Sequence, residues 1–364
     1  MSNQLSDEIR QKVGQVLLES LQKGEVPVLQ IPKTGSGNTI YDRQQGVLVI
    51  GTKMTTKRVN DISEVKRIAQ LTTVARILTE IIDTDDIIAA RGLYYAPDNV
   101  QIGKTAKIFE DESDSNKALN ELEVLLGKFR EELHVAANSK GAITGRVKVK
   151  TKTVSKTMID DCSQVGGKGY ALPGNMTGLE ITECKAGFVL VVEKDTIYEK
   201  LRYAEVWDKL NCIICQAEGM PDRITRFFVR KVSEEYKLPV VILTDNDPYG
   251  WYIHGTYKFG SMNLAFESQR LACPWAQFLG LSTSDIDLFK LPPRTLEDAS
   301  ETDIARANEL LTYDWFSGDP FWKREIDAFL VVRKKSKIDG LAGLGHGFLQ
   351  TTYLPTRLKQ LGLI

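Results

Sequence analysis

Apolar residues recur along this 364-residue chain with two spacings, one typical of amphipathic helices and one typical of buried strands. The helical spacing predicts four helices, over residues 4–23, 61–82, 85–95 and 115–133. Thr84 is a candidate N-cap for the third of them. Residues 31–45 are rich in Gly, Thr, Ser and Asn, and this composition favours an arm or linker.

Short apolar runs bounded by turn formers dominate the second half of the chain. They predict strands over residues 187–193, 211–216, 239–245 and 270–273. Because these strands alternate with helices, they predict a parallel α/β sheet. Residues 133–137 and 143–149 could pair as a wing after three helices, a winged-helix pattern. The expected fold is therefore mixed α/β, divided into an N-terminal helix and arm, a winged-helix domain, a linker and an α/β domain, with the bounds 1–60, 61–155, 156–184 and 185–364.

The composition is that of an ordinary globular protein, with 42% hydrophobic residues, 26% charged residues and a formal net charge of −1. No apolar run approaches the roughly 20 residues of a membrane span, and the N-terminus is charged, unlike a signal peptide. We therefore expect a cytoplasmic protein with no membrane partner, in which any nucleic-acid surface comes from local basic patches. Cys212 and Cys215 have C-x-x-C spacing, but their position in an apolar strand, without a second pair, argues against a redox or zinc site.

Acidic residues follow two of the predicted strands at the point where each strand ends. Asp245 and Asp247 come after the run 239–243, and Glu193 comes after the run 186–192. Alternate residues of an extended chain point to the same side, and open α/β sheets place their sites at the carboxyl ends of parallel strands. Two carboxylates about 4 Å apart repel by roughly 4 kcal/mol at an effective dielectric constant near 20, and a hard cation such as Mg²⁺ removes this repulsion. These acids could instead only cap helices, but their occurrence after two strands favours a metal site.

Arg91 and Tyr95 are four residues apart and share one face of the predicted helix. A tyrosine at a helix end usually packs in a core. A free phenol, with a pKa of about 10, is ionised to about one part in a thousand at pH 7. Its activation costs roughly 4 kcal/mol, which a neighbouring arginine and a metal ion can largely offset. The residues alone leave open whether Tyr95 is a packing residue or a nucleophile.

Basic residues form two groups. In the first, they alternate along one segment and would share one face of a strand: Arg146, Lys148, Lys150 and Lys152. This row fits a phosphate backbone and equally fits an edge strand protected by lysines. The second group follows a predicted helix start and allows the same two interpretations: Arg223, Arg226, Arg230 and Lys231. Our candidate DNA contacts are Lys140, Arg146 and Lys148.

Glycine-rich stretches do not predict a nucleotide site. Gly103-Lys104-Thr105 matches the end of a P-loop, but the glycine required at position 98 is replaced by Asp98. Gly166-Gly167-Lys168-Gly169 lacks a preceding strand of the right kind. We therefore expect this chain to bind no ATP by itself.

Taken in order, these segments resemble the A subunit of DNA topoisomerase VI and its relative, the meiotic double-strand-break transesterase. The likeness runs from about residue 60 to the C-terminus and is specific in order and spacing. The matching segments are Arg91-Gly92-Leu93-Tyr94-Tyr95, Arg130-Glu131-Glu132-Leu133-His134, Ser139-Lys140-Gly141, Val191-Val192-Glu193-Lys194-Asp195, Gly219-Met220-Pro221-Asp222, Thr244-Asp245-Asn246-Asp247-Pro248-Tyr249-Gly250 and Ala265-Phe266-Glu267-Ser268.

The resemblance implies a catabolite-activator-like winged helix that carries the nucleophile and a Toprim domain, an α/β domain with a parallel sheet that holds Mg²⁺. It makes Tyr95 the nucleophile, with Arg91 beside it and Tyr94 in a packing role. It also implies that the metal ligands are Glu193, Asp245 and Asp247.

Two features depart from the family pattern. Gly92 stands where an acidic residue often separates the arginine from the aromatic pair. Glycine within a helix costs about 1 kcal/mol, so we expect the tyrosine segment to be looser than usual. Pro97, directly after Ala96, should end the helix abruptly.

The function implied by the resemblance is the A subunit of an ATP-dependent type IIB DNA topoisomerase, an isomerase that cuts and reseals both DNA strands through a 5′-phosphotyrosyl intermediate. One tyrosine cuts one strand, so a homodimer is expected, with each tyrosine at the metal site of the other protomer. A separate ATPase B subunit, in an A₂B₂ heterotetramer at a prokaryotic-type nucleoid, would supply ATP hydrolysis. Residues 4–23 could dock this subunit or pack on their own domain. The alternatives are a break-forming transesterase without routine religation, a Toprim nuclease and a non-catalytic scaffold.

Overall fold

The computed structural model describes residues 2–96, 101–102, 106–137, 139–152, 156–174 and 178–364. The chain divides into two compact units, one with residues 1–40, 48–138 and 262–267, the other with residues 41–47, 139–261 and 268–364. Pro97 and the P-loop-like residues Gly103-Lys104-Thr105 lie outside the described residues.

The helices and strands of the first part of the chain are short, with the exception of α3 and α5. In chain order they are α1 (Ser2–Ile9), α2 (Val16–Gln22), β1 (Val28–Pro32), β2 (Thr39–Asp42), β3 (Val47–Ile50), β4 (Met54–Arg58), α3 (Ile62–Asp83), β5 (Ile88–Ala89), α4 (Gly92–Tyr95), β6 (Gln101–Ile102), β7 (Ala106–Lys107), α5 (Glu112–Leu126) and β8 (Val135–Ala136).

The second part of the chain alternates strands and helices. Its elements are β9 (Ala142–Thr144), β10 (Val147–Lys152), β11 (Thr157–Asp161), β12 (Tyr170–Ala171), β13 (Leu179–Cys184), β14 (Phe188–Val192), α6 (Asp195–Tyr203), α7 (Val206–Lys209), β15 (Cys212–Gln216), α8 (Arg223–Tyr236), β16 (Val240–Leu243), α9 (Pro248–Lys258), α10 (Ser268–Leu271), β17 (Gln277–Gly280), α11 (Ser284–Leu288), β18 (Leu296–Asp298), α12 (Glu301–Leu311), α13 (Asp314–Ser317), α14 (Pro320–Val332), β19 (Lys334–Ser336) and α15 (Leu354–Gln360).

Helix α3 is the centre of the first unit. Asp61 caps its N-terminus by accepting a hydrogen bond from the backbone N of Ser63 at 2.9 Å. Its apolar stripe packs on α1 and α5 and contributes Leu71, Val74 and Leu78 to a continuous core. The predicted helices over 61–82 and 115–133 are confirmed, although α5 stops earlier than predicted, at Leu126. The predicted helix over 4–23 forms as α1, a π-helical turn and α2.

The predicted helix over 85–95 is wrong. Thr84 is the C-cap of α3 rather than an N-cap, and Asp85 takes a φ of 54°, which ends the helix. Ile88 and Ala89 then form β5, which pairs in parallel with β8. Only one turn, α4, is helical before Ala96. The β-branched Ile87-Ile88 pair favours a strand, and the pairing with β8 decides between the two structures.

The predicted wing is also wrong. Residues 133–137 contribute β8, which pairs with β5, and residues 143–149 are divided between β9 and β10. β9 pairs with β12 and β15, so it extends the central sheet. All three residues of β9 are buried. An isolated two-stranded ribbon is marginally stable in water, and the larger sheet buries more apolar surface.

A six-stranded sheet forms the core of the second unit, with the strand order β12-β9-β15-β14-β16-β17. The four strands β15, β14, β16 and β17 are parallel, as predicted. Every residue of β14, β15 and β16 is buried, which explains their uninterrupted apolar sequences. Cys212 and Cys215 are among them, and burial raises the pKa of both thiols.

Two further predictions are wrong in this unit. Residues 270–273 do not form the fourth parallel strand, because this segment begins within α10, a helix that contacts α8. The fourth strand is β17 instead. Residues 156–184 are not a linker, since they contain β11, β12 and β13. Sheet pairing orders a segment whose glycines and polar residues are typical of a loop.

The predicted arm over 31–45 contains the end of β1 and all of β2, which pair with β4 and β3. Within the described ranges, no helix combines the length and the apolar content that a membrane crossing requires.

Candidate catalytic site

Tyr95 lies at the end of the single helical turn α4. Leu93 is fully buried and anchors this turn in the core of the first unit, and Tyr94 packs against the same core. Tyr95 is 50% exposed. The two tyrosine rings contact each other edge to face, with 4.8 Å between their centroids. Adjacent tyrosines therefore have different environments, and only the second presents much of its surface to solvent.

Arg91 is the nearest cation to the Tyr95 hydroxyl among the contacts of the described residues. Its Nη2 lies 3.5 Å from the phenolic oxygen, and its guanidinium carbon lies 5.9 Å from the ring centroid. Glu112, at the start of α5, holds the same guanidinium through an Nε to Oε1 contact of 2.7 Å. The hydrogen bond to Tyr95 and the charge of Glu112 both raise the pKa of Arg91. The result is a fixed positive charge beside an accessible phenol.

Gly92 starts the helical turn where it lies over β5. A Cβ atom at this position would stand 2.8 Å from Cγ1 of Ile88. Such a distance requires a shift of the turn or of the strand. Glycine at this departure from the family pattern therefore has a local steric reason: it lets the tyrosine turn pack closely on Ile88.

The Arg130–His134 motif supports the strand that leads to this turn. The backbone N of Ile88 donates to the carbonyl of His134 at 3.1 Å. The His134 Nδ1 lies 2.9 Å from the carbonyl oxygen of Asp86. Asn120 on α5 accepts a hydrogen bond from Arg130, with 2.8 Å between Nη2 of the arginine and Oδ1 of the asparagine. This motif thus fixes the backbone before Arg91 and Tyr95 rather than contributing a reactive group.

The three predicted metal ligands lie at the carboxyl ends of two neighbouring parallel strands of the second unit. Glu193 follows β14 and Asp245 follows β16, and these strands pair directly. The Glu193 Oε2 accepts a hydrogen bond from the backbone N of Asp245 at 3.0 Å. Asp247 caps α9 and accepts from the backbone N of Tyr249 and of Gly250 at 2.9 and 2.8 Å. The capping alternative is thus correct for Asp247, while Glu193 and Asp245 cap no helix.

The electrostatics of these carboxylates are unfavourable in the absence of a cation. Burial raises the pKa of Glu193 to about 7, and the negative charges of Asp245 and Asp247 act in the same direction. Burial also raises the pKa of Asp247, again with a contribution from Asp245. Desolvated carboxylates that repel one another have the donor chemistry that a hard divalent cation requires.

Asp245 is already satisfied by groups of the protein. Its Oδ2 lies 2.8 Å from Nζ of Lys194, and its Oδ1 accepts from the backbone N of Ile338 at 2.9 Å. In the part of the chain that the structure describes, no group of three or more His, Cys, Asp or Glu side chains is arranged to hold a metal ion. The residue types and their charges therefore fit a divalent metal, but its binding requires the side chains of Lys194 and the acids to rearrange.

Three cations of the basic row on and beside β10 have acidic partners. Lys148 pairs with Glu183 at 2.9 Å, and Lys150 pairs with Glu180 at 2.8 Å. Arg146 pairs with Asp208. β10 is the middle strand of the sheet β11-β10-β13. The protected-edge interpretation is therefore wrong, and three cations of the row, Arg146, Lys148 and Lys150, are paired within the fold.

The second basic group is also partly internal. Arg223 and Arg226 on α8 are buried, with exposed fractions of 7% and 2%. Arg230 and Lys231 pair with Glu234 and Glu235 one turn further along the helix. These residues are therefore buried or paired within the fold, which makes them weak candidates for contacts to a phosphate backbone.

Lys140 has an exposed side chain, and its backbone belongs to a tight contact between two of the family motifs. Its backbone N donates to Oδ2 of Asp222 at 2.8 Å, while Asp222 also caps α8 through the backbone N of Thr225 at 2.8 Å. A Cβ atom at Gly141 would stand 2.1 Å from Oγ1 of Thr225. Gly141 is thus required by close packing, and the loop that it permits holds Lys140 at the surface.

Two family models match this chain, and each covers a stretch that includes some of the candidate site residues. The family model for the Toprim domain of the topoisomerase 6 A subunit and Spo11 matches residues 188–358, which begin at the strand that leads to Glu193. The model described as "Type IIB DNA topoisomerase" matches residues 66–135, which include Arg91 and Tyr95.

Matches to whole proteins extend over nearly the entire chain. The A subunit of the type 2 DNA topoisomerase 6 of Sulfurisphaera tokodaii is 35% identical, over 97% of this chain and 94% of that relative. The chain belongs to the family of topoisomerase 6 A subunits. Another relative of the same name, from Hyperthermus butylicus, is 34% identical over 94% of this chain and 92% of its own length. The A subunit of the DNA topoisomerase 6 of Arabidopsis thaliana is 30% identical over 94% of this chain and 78% of its own length.

Membership in this family confirms the resemblance and the topoisomerase function predicted from the sequence. Most of the Toprim domain, a domain that binds divalent metal ions, lies in the second unit. Sequence reasoning missed Glu112, Lys194 and Ile338, which contact the candidate site residues. Each of the three lies on a different segment from the residue that it contacts. Lys194 stands next to Glu193 in a quoted motif, but the sequence did not show that it contacts Asp245.

Proposed function

We propose that this chain is the DNA-cleaving subunit of a type IIB topoisomerase and that Tyr95 is its nucleophile. The observation that carries this assignment is the pair formed by a half-exposed phenol and the Arg91 guanidinium, 3.5 Å from its oxygen. Tyr94, the other tyrosine of the turn, packs against the core. A nucleophile must reach a backbone phosphate, and this requirement favours Tyr95.

In the proposed step, the Tyr95 oxygen loses its proton and attacks a phosphorus atom of the DNA backbone. A bond forms between this oxygen and phosphorus, and the bond from phosphorus to the 3′ oxygen breaks. The 3′ oxygen takes up a proton and leaves as a hydroxyl, while the 5′ end stays linked to the protein. Arg91 stabilises both the phenolate and the charge that develops on the phosphoryl oxygens. Since the phosphodiester energy is kept in the protein linkage, religation is the reverse reaction.

Glu193, Asp245 and Asp247 are the proposed ligands of Mg²⁺. Their support is the raised pKa values of Glu193 and Asp247, which reflect partly buried and mutually repelling carboxylates. When bound, Mg²⁺ supplies Lewis-acid stabilisation of the phosphoryl group and of the leaving oxygen. The protein's own part is to hold the three carboxylates at the ends of β14 and β16.

The proposed assembly contains two copies of this chain and a B subunit that binds ATP. One nucleophile per chain cuts one strand, so a double-strand break requires a dimer. The family resemblance further implies that each tyrosine acts with the metal site of the partner, in an A₂B₂ complex at the nucleoid. The helices α3, α4 and α5 are the proposed counterpart of the winged-helix domain, and Lys140 of the second unit is a proposed DNA contact.

Arg146 and Lys148 are weaker candidates for DNA contacts than Lys140. Both are paired with acids of the same unit, and a phosphate would have to replace Asp208 and Glu183 as their partners. Lys140 has an exposed side chain. We therefore expect Lys140→Gln to reduce the salt dependence of DNA binding more than Lys148→Gln does.

The deciding experiment combines the purified chain, its B subunit, an ATP analogue, Mg²⁺ and supercoiled plasmid, followed by a detergent quench. We expect protein linked to the 5′ ends of linear DNA. Tyr95→Phe should abolish these adducts, and Tyr94→Phe, the matched control, should retain them. Cleavage without linked protein that persists in Tyr95→Phe would instead identify a metal-dependent nuclease. Adducts that are never resealed, even with ATP and the B subunit, would identify a break-forming transesterase.

A further inference from the structure

Lys194 joins two carboxylates at the edge of the candidate metal site. Its Nζ lies 2.8 Å from Oδ2 of Asp245 and 2.9 Å from Oδ2 of Asp339. Lys194 follows Glu193 directly, so its backbone is fixed at the end of β14. Its side chain is 26% exposed, and that of Asp339 is 52% exposed. One ammonium is thus shared between a buried site residue and a carboxylate at the surface.

The ammonium of Lys194 and the backbone N of Ile338 each hold one oxygen of Asp245. A divalent cation that binds Asp245 lies close to this ammonium, and the two positive charges repel. The repulsion favours movement of Lys194 away from Asp245, and the flexible four-carbon side chain of lysine permits such a movement.

We propose that Lys194 is a tethered cation, which neutralises Asp245 while the site is free of metal and moves onto Asp339 when a divalent metal binds. This inference rests on the proposed function, since it takes Asp245 as a metal ligand. After this movement the ammonium of Lys194 is still paired with a carboxylate, that of Asp339. Lys194 then opposes metal binding. The protein therefore binds the metal more weakly than the same three carboxylates would without the lysine.

A purely structural role for Lys194 predicts the opposite sign. If the lysine only holds Asp245 in the correct position, its removal releases the carboxylate and weakens metal binding. If the lysine competes with the metal, its removal leaves the carboxylates without a counterion and strengthens metal binding. The direction of the change therefore separates the two roles.

The experiment measures Mn²⁺ binding to the whole chain, without DNA, from the electron paramagnetic resonance signal of free Mn²⁺. We expect Lys194→Met to bind Mn²⁺ on the order of tenfold more tightly than the wild type, as for the loss of one charge-assisted hydrogen bond. Lys334→Met removes the same charge from an exposed pair with Asp298 and should change the affinity little. Lys194→Arg keeps the charge and should stay near the wild type, whereas equal or weaker binding by Lys194→Met overturns the proposal.

Asp339 provides an independent test. Asp339→Asn removes the acceptor for the displaced ammonium, so it should weaken Mn²⁺ binding in the wild-type background. The same substitution should have a much smaller effect in Lys194→Met, where no ammonium needs an acceptor. Equal effects of Asp339→Asn in the two backgrounds would overturn the transfer of Lys194 between the two acids.

These titrations also separate this inference from the metal site itself. If Asp247→Asn binds Mn²⁺ as well as the wild type does, the proposed ligands are wrong and the proposed function needs another metal centre. If Asp247→Asn loses binding while Lys194→Met does not gain it, the metal site stands and only the tethered-cation role fails. Circular dichroism of each variant, with EDTA and with Mn²⁺, establishes that the protein tested is folded.

Discussion

At the scale of single residues, the candidate site depends on contacts that bring distant side chains to predicted ones. The position of Glu193, Asp245 and Asp247 after buried strands was predictable, because strand ends and their acids are visible in the local pattern. The anchor of Arg91 was not predictable. Glu112 begins a different helix, and only the packing of α4 and α5 brings the two charges to 2.7 Å.

Glu112→Gln should slow DNA cleavage only slightly, because Arg91 loses its anchor but an exposed ion pair is weak. The measurement is the single-turnover rate of covalent adduct formation with Mg²⁺. Glu80→Gln breaks a comparable exposed pair with Arg76 on α3 and should leave this rate unchanged. An unchanged rate in Glu112→Gln would show that Arg91 is positioned without this carboxylate.

At the scale of secondary-structure elements, two glycines set how closely helices approach the strands of the site. Gly250 lies in the first turn of α9, where a Cβ atom would stand 2.5 Å from the carbonyl oxygen of Asp245. Gly92 likewise allows the turn α4 to approach Ile88 closely. Both glycines belong to motifs that were read from the sequence, but their steric reason appears only in the structure.

Gly250→Ala should lower the free energy of unfolding by about 1–3 kcal/mol, because the added methyl group overpacks α9 against the strand end. Mn²⁺ affinity should fall with it, since the backbone of Asp245 must shift. Gly166→Ala is the matched control, as a Cβ atom there meets nothing within 4 Å. Urea denaturation and the Mn²⁺ titration measure the two effects, and a variant as stable as Gly166→Ala would contradict the packing argument.

Gly92→Ala should displace the tyrosine turn from β5 and reduce cleavage more than it reduces DNA binding. The reason is the 2.8 Å approach to Cγ1 of Ile88, which a rigid β-branched side chain cannot relieve cheaply. Ile88→Ala should restore part of the activity when it is combined with Gly92→Ala. Failure of the double variant to recover any cleavage would place the effect of Gly92 elsewhere.

The elements that the sequence failed to predict share one cause. The segments 85–95, 143–149 and 270–273 were assigned a secondary structure from the local spacing of their apolar residues. The segments that they pair with or pack against lie far along the chain. β5 forms because β8 is available to it, and β9 forms because β15 is. Long helices such as α3 and the buried parallel strands were predictable, since their own sequence accounts for most of their burial.

At the scale of the whole molecule, the metal-free protein carries an electrostatic cost at the edge of its central sheet. The folded-state pKa of Glu193 is about 7, above the ordinary glutamate value of about 4.3. Between these two pH values, Glu193 holds a proton in the folded protein that it releases in the unfolded chain. The contribution of this carboxyl to the free energy of unfolding is therefore fully present below pH about 4.3 and is lost as the pH rises through about 7.

In EDTA, the thermal midpoint of the wild type should consequently fall relative to that of Glu193→Gln between pH 5 and pH 8. The glutamine side chain does not titrate, so the difference between the two midpoints reports the titration of Glu193 together with the acids that are coupled to it. Differential scanning calorimetry at four pH values gives the comparison. A difference that is constant, or that grows in favour of the wild type as the pH rises, would contradict the raised pKa.

The hydrogen bond from Ile338 to Asp245 also concerns the order in which the protein is made. The two residues are 93 positions apart, and the neighbouring Asn246 forms a backbone bridge with Ser336. A nascent chain that contains Tyr95, Glu193, Asp245 and Asp247 therefore still lacks Ser336 and Ile338 when it has just passed Asp247. Translation must pass Ile338 before Asp245 gains this partner, so a product that terminates earlier carries the candidate site residues without the contact that positions one of them.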